Sequence, residues 1–359
     1  MFPSILSHST STKLENRICK ATEQTRSQDI DGEDIMADQD YLKNIAIVGA
    51  GGNVGSAALK HLLASDRNFN ITILTQPTST STFPTHPRLT IQKGTFTDPN
   101  FLHSALQNQD ALILALGFRA MDLQPHLITA AVSAGISYIL PTEYAGDGLN
   151  EEMINAVPVF QPKRLARQQI ASLGGTWIGI ATNPWTDQSL RLGLLGIELF
   201  ARKATLYRDA GKFNMSTLDQ VGLGIARVLG LPVKNEGGSK RASLEHYGNN
   251  FVYISSLHVT QREVLASAVK ATGTSEAEWE VDEEDTVKDW IERCKGMMAR
   301  GEMKGAMGLT FAYYLGEGLG GDYQAKAVED MKVLGLREGD LDAVVKAEVE
   351  KGPMRPLFG

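Results

Sequence analysis

Glycines at positions 49, 52 and 55 fall inside the segment IAIVGAGGNVGSAALKHLL, residues 45–63. A run of β-branched and small apolar residues precedes them, and Ala57, Ala58, Leu59, Leu62 and Leu63 recur after them at helical spacing. Strand, glycine turn and helix in that order can hold a dinucleotide. Gly49 lets the chain turn sharply off the strand, Gly52 lets the backbone approach a pyrophosphate, and Gly55 lets the helix pack closely. The first helical N–H groups, from Asn53 and Val54 onward, offer the positive end of the helix dipole to phosphates. The spacing is G-x-x-G-x-x-G, not the strict G-x-G-x-x-G. A glycine-rich turn of some other α/β protein is the competing explanation.

The surrounding pattern must place that turn at the edge of a sheet. Apolar stretches at 71–74, 89–94, 111–117, 137–141 and 176–182 read as further strands, with helical stretches at 56–64, 100–107, 122–134 and 162–172 between them. This alternation predicts an α/β fold, a doubly wound parallel (Rossmann) sheet with helices on both faces. Ligands of such sheets lie beyond the carboxyl ends of the strands. The glycine turn, the loop after Leu74, Gly117 and Phe118, the 141–147 loop and the segment Asn183–Trp185, by number 183–185, should therefore rim one crevice. Residues 1–40 are polar and aperiodic and read as a disordered tail, ahead of a nucleotide-binding domain over 41–185. Residues 186–359 alternate less regularly, with helices expected near 186–200, 217–229, 260–271, 284–300, 323–333 and 339–350. Short strands are expected near 204–208 and 251–255. This half should form a smaller, mostly helical substrate region, with the option of adding elements to the sheet.

The end of the second strand decides between cofactors. An NAD site places Asp or Glu there to hold the ribose 2′-OH, but this chain reads Leu74-Thr75-Gln76-Pro77-Thr78-Ser79. The missing acid also weakens an S-adenosylmethionine reading. Thr75, Gln76 and Ser79 can hydrogen-bond a 2′-phosphate, although the usual Arg is absent. Arg88 and Lys93 are candidate substitutes. NADP is expected, with NAD as the alternative. No Tyr in the chain has Lys four residues on, so the familiar proton-donating pair of short-chain dehydrogenases is missing. The seven histidines are scattered, and no metal-ligand or Ser-His-Asp spacing emerges.

Several segments together resemble the isoflavone-reductase-like branch of the NmrA-like family, the atypical short-chain dehydrogenases. They are VGAGGNVG, YILPTEYAGD (where that family usually has Pro-Ser-Glu-Phe) and KRLARQQIASLGGTWIGIATNPW, with its Lys-x-x-x-Arg helix. HVTQREVLASAVKATGT and VLGLREGDLDAVV look like segments of fungal relatives. The resemblance runs from about residue 41 to the C-terminus. It implies that Lys163 is the catalytic lysine, that Glu143 is a structural carboxylate and that Tyr144 lines the substrate pocket. An ammonium at the start of the helix after the fifth strand can protonate a substrate oxygen, and partial burial lowers its pKa toward a useful range. An exposed first-turn lysine beside Arg164 and Arg167 is the plainer alternative. Gln76 departs from the pattern, because an Arg is expected there.

Composition narrows the classes further. A net charge of −7 argues against nucleic acid or an anionic membrane as a direct partner. No apolar run reaches the roughly 20 residues needed to span a bilayer. Two cysteines, Cys19 and Cys294, cannot build a disulfide framework or a zinc site. A soluble cytoplasmic protein is expected, with no metal and with its oligomeric state open. The expected function is NADP-dependent reduction of a carbonyl, enone or related group on a small aromatic or secondary-metabolite substrate, with Asn183 and Trp185 joining Tyr144 in the pocket. The alternative is a non-catalytic NmrA-like redox sensor that regulates transcription. An NAD-dependent epimerase or dehydratase is a weaker third.

Overall fold

The computed structural model describes residues 40–283 and 285–354, so the expected tail lies outside the described residues except for Asp40. Its centre is a seven-stranded sheet in which every neighbouring pair is parallel. The strands are β1 (Asn44–Val48), β2 (Asn70–Thr75), β3 (Leu89–Lys93), β4 (Ala111–Leu114), β5 (Tyr138–Leu140), β6 (Thr176–Ala181) and β10 (Asn250–Tyr253). Their spatial order is β3-β2-β1-β4-β5-β6-β10, which reverses direction between β1 and β4. The carboxyl ends of the strands at that reversal are where sheets of this kind take their ligands. The central strands are apolar on both faces because helices cover both, and β1, β4, β5 and β6 are buried nearly throughout. β3 is an edge strand, and three of its five residues are exposed.

Helix α1 (Asn53–Leu63) follows the glycine turn, and α2 (Pro99–Leu106) and α3 (Gln124–Ser133) follow β3 and β4. The short α4 (Glu151–Ala156) and the longer α5 (Phe160–Ser172) lie between β5 and β6. On α5 the buried residues are Phe160, Lys163, Ala166, Arg167 and Ile170, the three-to-four spacing of one face. Two cations thus lie on the inward stripe.

The second half departs from its expected outline in its helices and by several short strands that were not expected, Ile197–Glu198, Phe213–Met215, Leu257–Val259 and Glu280–Asp282. The helix expected over 186–200 is only α6 (Thr186–Arg191), because Gly193 and Gly196 adopt positive φ and turn the chain into β7 (Ile197–Glu198). A helix not anticipated from sequence, α11 (Met303–Leu315), follows α10 (Val287–Ala299). The remaining elements are β8 (Lys203–Thr205), β9 (Phe213–Met215), α7 (Leu218–Leu229), α8 (Leu244–Tyr247), β11 (Leu257–Val259), α9 (Gln261–Thr272), β12 (Glu280–Asp282), α12 (Gln324–Leu334) and α13 (Leu341–Glu350). One hydrophobic core surrounds the large sheet and takes in residues of α7, β10 and α12; a second is built mainly from residues 190–215, 257–315 and α4. Among the described residues no helix is long and apolar enough to cross a membrane.

Helix α1 is fixed from behind by α7. A Cβ on Gly222 of α7 would meet the Ala57 carbonyl at 2.4 Å, so the two backbones touch there. Lys60 and His61 of α1 flank the crossing and both bond Asp219 of α7, at 2.6 and 2.9 Å. Replacing Gly222 by Val should push the helices apart and cost about 1–3 kcal/mol, the usual penalty for overpacking. Urea denaturation of the variant measures this, and a midpoint unchanged from the parent protein would show that the crossing yields freely.

Candidate active site

The glycine turn has the tight geometry that its spacing predicts. A Cβ on Gly49, whose φ is +87°, would lie 2.2 Å from the Ala115 carbonyl oxygen, and one on Gly55 would lie 2.1 Å from that of Gly49. Both positions therefore require glycine to bring β1, the loop after β4 and α1 together. Gly52 differs: a Cβ there would meet Gly49 O at 3.3 Å and Ala115 O at 3.9 Å, with nothing else so near. Gly52 is the N-cap of α1, no side chain caps the helix, and its first intrahelical bond runs from Ser56 N to Gly52 O at 2.8 Å. The N–H groups of Asn53, Val54 and Gly55 thus stand ahead of the ladder, as an anion site requires. An open cradle beside uncapped amides fits a pyrophosphate.

Across the crevice, β4 leads through Gly117 into a 3-10 turn, Phe118–Leu123, and Phe118 is 73% exposed on the rim. Thr75 ends β2 in a buried position, and Gln76 beyond it is half-buried. Neither Asp nor Glu stands at that strand end. Arg88 cannot replace the missing Arg, because its guanidinium donates to Phe69 O and Leu63 O at 3.1 and 2.7 Å, before β2 begins.

The loop after β5 carries the densest chemistry. Lys163 is buried, and its Nζ donates to the carbonyls of Thr142 and Glu143 at 2.7 and 2.6 Å. Thr142 is itself held on three sides: its N–H donates to Gln124 Oε1 at 2.8 Å, its hydroxyl donates to Leu114 O at 3.0 Å and accepts from Leu116 N at 3.3 Å. One turn further along α5, Arg167 donates to Glu143 Oε1 at 2.5 Å and to Gly148 O at 2.7 Å. Burial pushes the Lys163 pKa down, with the Glu143 carboxylate opposing and the Arg167 cation assisting. Burial also raises the Glu143 carboxyl, against the pull of Lys163 and Arg167. The surface-lysine alternative is excluded. Arg164 is the partly exposed member of the trio and pairs with Glu151 on the surface.

Tyr144 and Asn183 share two features. Both are non-glycine residues at positive φ, +32° and +52°, and both are buried with a polar atom lacking a partner: Tyr144 OH and Asn183 Oδ1. Burial, with Glu143 second, raises the Tyr144 phenol, so it remains protonated. The two residues are brought together by the backbone, since Thr182 N and Asn183 N both donate to Ala145 O, at 2.8 and 3.0 Å. Glu143 Oε2 and Thr186 Oγ1 are likewise buried without partners. Such orphaned groups cost about 1–3 kcal/mol each, and together with backbone strain they mark sites built for a ligand. Asn183 also spends its amide nitrogen on Asn214 O and Gly321 O, at 3.0 and 2.6 Å, tying the crevice to the second half of the chain. Trp185 is half-buried, and its indole N–H donates to Thr182 Oγ1 at 3.2 Å.

Sequence reasoning did not identify Thr142, Asn214 or Gly321 in this constellation, and it named Arg167 as the Arg of the Lys-x-x-x-Arg helix and a neighbour of Lys163 without giving it a role. The four-residue spacing of Lys163 and Arg167 on an otherwise apolar stripe was the available signal for the buried role of Arg167. The contacts to Asn214 and Gly321 join distant segments and left no local trace.

The family model described as NAD(P)H-binding matches residues 49–191, from the first glycine of the turn to the end of α6. Those residues form an NAD(P)H-binding domain. The oxidoreductase aprR of Aspergillus flavus is 27% identical to the chain over 314 residues, covering 86% of this chain and 99% of that protein. Among solved structures, one described as AtPrR2 with NADP+ and (+)pinoresinol superposes with a TM-score of 0.67 at 18% identity, covering 86% of this chain and 99% of that one. An isoflavone reductase superposes with a TM-score of 0.66 at 18% identity, covering 85% and 99%. The fold is therefore isoflavone-reductase-like over nearly the full length of those chains.

Gly52→Val tests the pyrophosphate cradle. Its backbone is extended, φ −85° and ψ 178°, and a Cβ there would press only on Gly49 O, at 3.3 Å, so the variant should fold, unlike Val at 49 or 55. Dinucleotide affinity, read by fluorescence titration, should fall at least tenfold, ~1.4 kcal/mol. Undiminished affinity in the folded variant would remove the cradle.

Proposed function

We propose that the protein is an NADPH-dependent reductase of a carbonyl, enone or related conjugated group on a small, oxygen-bearing and aromatic substrate. The oxidoreductase class and the cofactor are those on which the NAD(P)H-binding domain, the fungal oxidoreductase relatives and the reductase-like fold agree. The aromatic substrate class is suggested by the isoflavone reductase and pinoresinol-bound neighbours. One observation carries the catalytic reading. Lys163 is a buried ammonium at the crevice with its pKa lowered, and only two of its three N–H bonds are directed at carbonyl oxygens.

The bound nicotinamide supplies the hydride. With the dinucleotide bound, the amides of Asn53, Val54 and Gly55 would hold the pyrophosphate, Thr75 and Gln76 would hold the adenosine ribose, and Gly117 and Phe118 would border the cofactor from the other side. Lys163 gives its third proton to the substrate oxygen as negative charge develops there, so carbonyl, hydride and proton become an alcohol. The amine that remains still has two N–H bonds for Thr142 O and Glu143 O. The anchoring hydrogen bonds therefore survive the transfer, and solvent restores the proton. Tyr144 and Asn183 present a hydroxyl and an amide oxygen to polar groups of the substrate, and Trp185 offers an aromatic wall.

Proton donation requires the charged lysine, so turnover should fall as pH rises through the Lys163 pKa, which burial places below its ordinary 10.5. Lys163→Ala should abolish that alkaline limb and lower turnover with an aromatic carbonyl or enone substrate about 10²–10⁴-fold, with NADPH affinity nearly intact. Lys163→Arg should rescue poorly, because a guanidinium does not readily give up its proton. Full turnover in a folded Lys163→Ala protein would remove the lysine from the chemistry. Tight NADPH binding without oxidation across a broad carbonyl panel would instead favour a sensing role.

A further inference from the structure

The cation that recognises an NADPH 2′-phosphate does not follow β2 in this chain. Residues 76–87 contain no Lys, Arg, Asp or Glu. This segment is nevertheless not a loose surface loop. Ser79 N donates to Gln76 O at 3.0 Å and Ser81 N to Ser79 Oγ at 3.3 Å, and these turns fold the chain back onto the glycine turn. A Cβ on Gly51 would lie 2.3 Å from Ser81 Oγ, with Phe83 4.0 Å away. Gly51 is thus the position at which the loop lands, and a row of hydroxyls stands beside the phosphate cradle.

Most of the nearby basic side chains are committed elsewhere. Lys60 and His61 bond Asp219, Arg67 donates to Gly230 O, and Arg88 donates to Leu63 O and Phe69 O. Lys93 is different. It is the last residue of β3, it pairs in register with Thr75, the last residue of β2, and Gly94 N donates to Thr75 O at 3.0 Å. Register partners on parallel strands project from the same face of the sheet, so Lys93 and Thr75 share one. Lys93 is exposed, and it makes no ion pair among the described residues.

We infer that Lys93, reaching across the end of β2, supplies the positive charge that selects NADPH, with Gln76, Ser79 and Ser81 as the neutral hydrogen-bonding walls of the same subsite. The inference rests on dinucleotide binding at the glycine turn. A 2′-phosphate draws a point charge from an ammonium where a guanidinium would give a two-pronged grip, so the selectivity should be real, moderate and sensitive to salt.

NADPH and NADH are titrated by nicotinamide fluorescence against the whole protein, Lys93→Gln and Lys93→Gln/Gln76→Arg, at about 50 and about 500 mM NaCl. Lys93 is exposed at a sheet edge, so its replacement should leave folding intact. Lys93→Gln should weaken NADPH about tenfold at low salt and leave NADH within about twofold, and the NADPH affinity that remains should respond little to salt. Arg at position 76 in the double variant should recover the lost preference. An unchanged NADPH-to-NADH ratio in Lys93→Gln, or an equal loss of both cofactors, overturns the inference while leaving the glycine turn as the cofactor site. Failure of the parent protein to bind either cofactor would overturn both.

Discussion

Two cations four residues apart on one face of α5 are drawn into the interior by one short loop. Lys163 takes the carbonyls of residues 142 and 143, and Arg167 takes the Glu143 carboxylate and the carbonyl of residue 148. Of the loop's two carboxylates only Glu143 faces this pair, since Asp147 is taken by Tyr253 and Lys326, so carbonyl dipoles must meet the remaining demand. That imbalance gives the site its chemistry. The lysine is held where desolvation works against its charge, while the neighbouring carboxylate opposes that shift. Arg167 is further covered by the rings of Trp177 and Phe251, 5.4 and 5.1 Å from its guanidinium carbon. Removing either partner of the buried Arg167–Glu143 pair would strand the other, a loss of about 3–5 kcal/mol in comparable cases.

The same loop is the hub that joins the nucleotide-binding half to the rest. Gly146 N donates to Tyr314 OH at 3.1 Å, so the phenol of α11 reads the loop directly. Asp147 accepts from Tyr253 OH at 2.8 Å and from Lys326 at 2.6 Å, tying β10 and α12 to it. Gly148 has no room for a side chain, since a Cβ would lie 2.3 Å from Phe251. Within seven residues the loop thus meets α5, β10, α11 and α12. Displacement of the second half would be felt at Thr142 and Glu143, and so at Lys163.

Five of the first six strands were legible because strands buried on both faces read as apolar runs, while the exposed edge strand β3 was read from its β-branched residues Thr90 and Ile91 and its place in the strand–helix alternation. The helices between them carry a one-sided stripe. The glycine turn was legible because Gly49 and Gly55 meet backbone at contact distance and tolerate no other residue. Lys163 came from a resemblance, since a lysine in a first turn reads as a surface residue until the loop that swallows its charge is known. Helix α11 escaped because MKGAMGLTFAYYL is apolar around much of its circumference, with Leu309, Phe311, Ala312, Tyr313, Tyr314 and Leu315 all buried, and such a segment has no amphipathic period. The helix expected over 186–200 was overextended because two glycines can hide within an apolar run until their positive φ is seen. The seventh strand, β10, lies beyond residue 185, and its place beside β6 depends on a crossover that no local pattern encodes.

Among the described residues, four of the seven buried polar atoms without a hydrogen-bond partner lie together, the others being on Gln109, His258 and Glu348. Glu143, Tyr144, Asn183 and Thr186 follow the carboxyl ends of β5 and β6, and two of the four also hold unfavourable backbone. A protein whose total stability is about 5–15 kcal/mol carries such a concentration of unmet demand only if the surrounding fold enforces it. The enforcement is visible. Asn183 is pinned through its amide nitrogen to Asn214 and Gly321, and Tyr144 sits between the residue that anchors Lys163 and the residue that bridges to β6. In the proposed reaction these fixed groups meet a substrate's oxygens without rearranging, so the cost is borne in folding and not at the barrier. In that proposal the second half of the chain contributes without supplying the proton: it holds rigid the acceptors and the loop to which Lys163 is anchored.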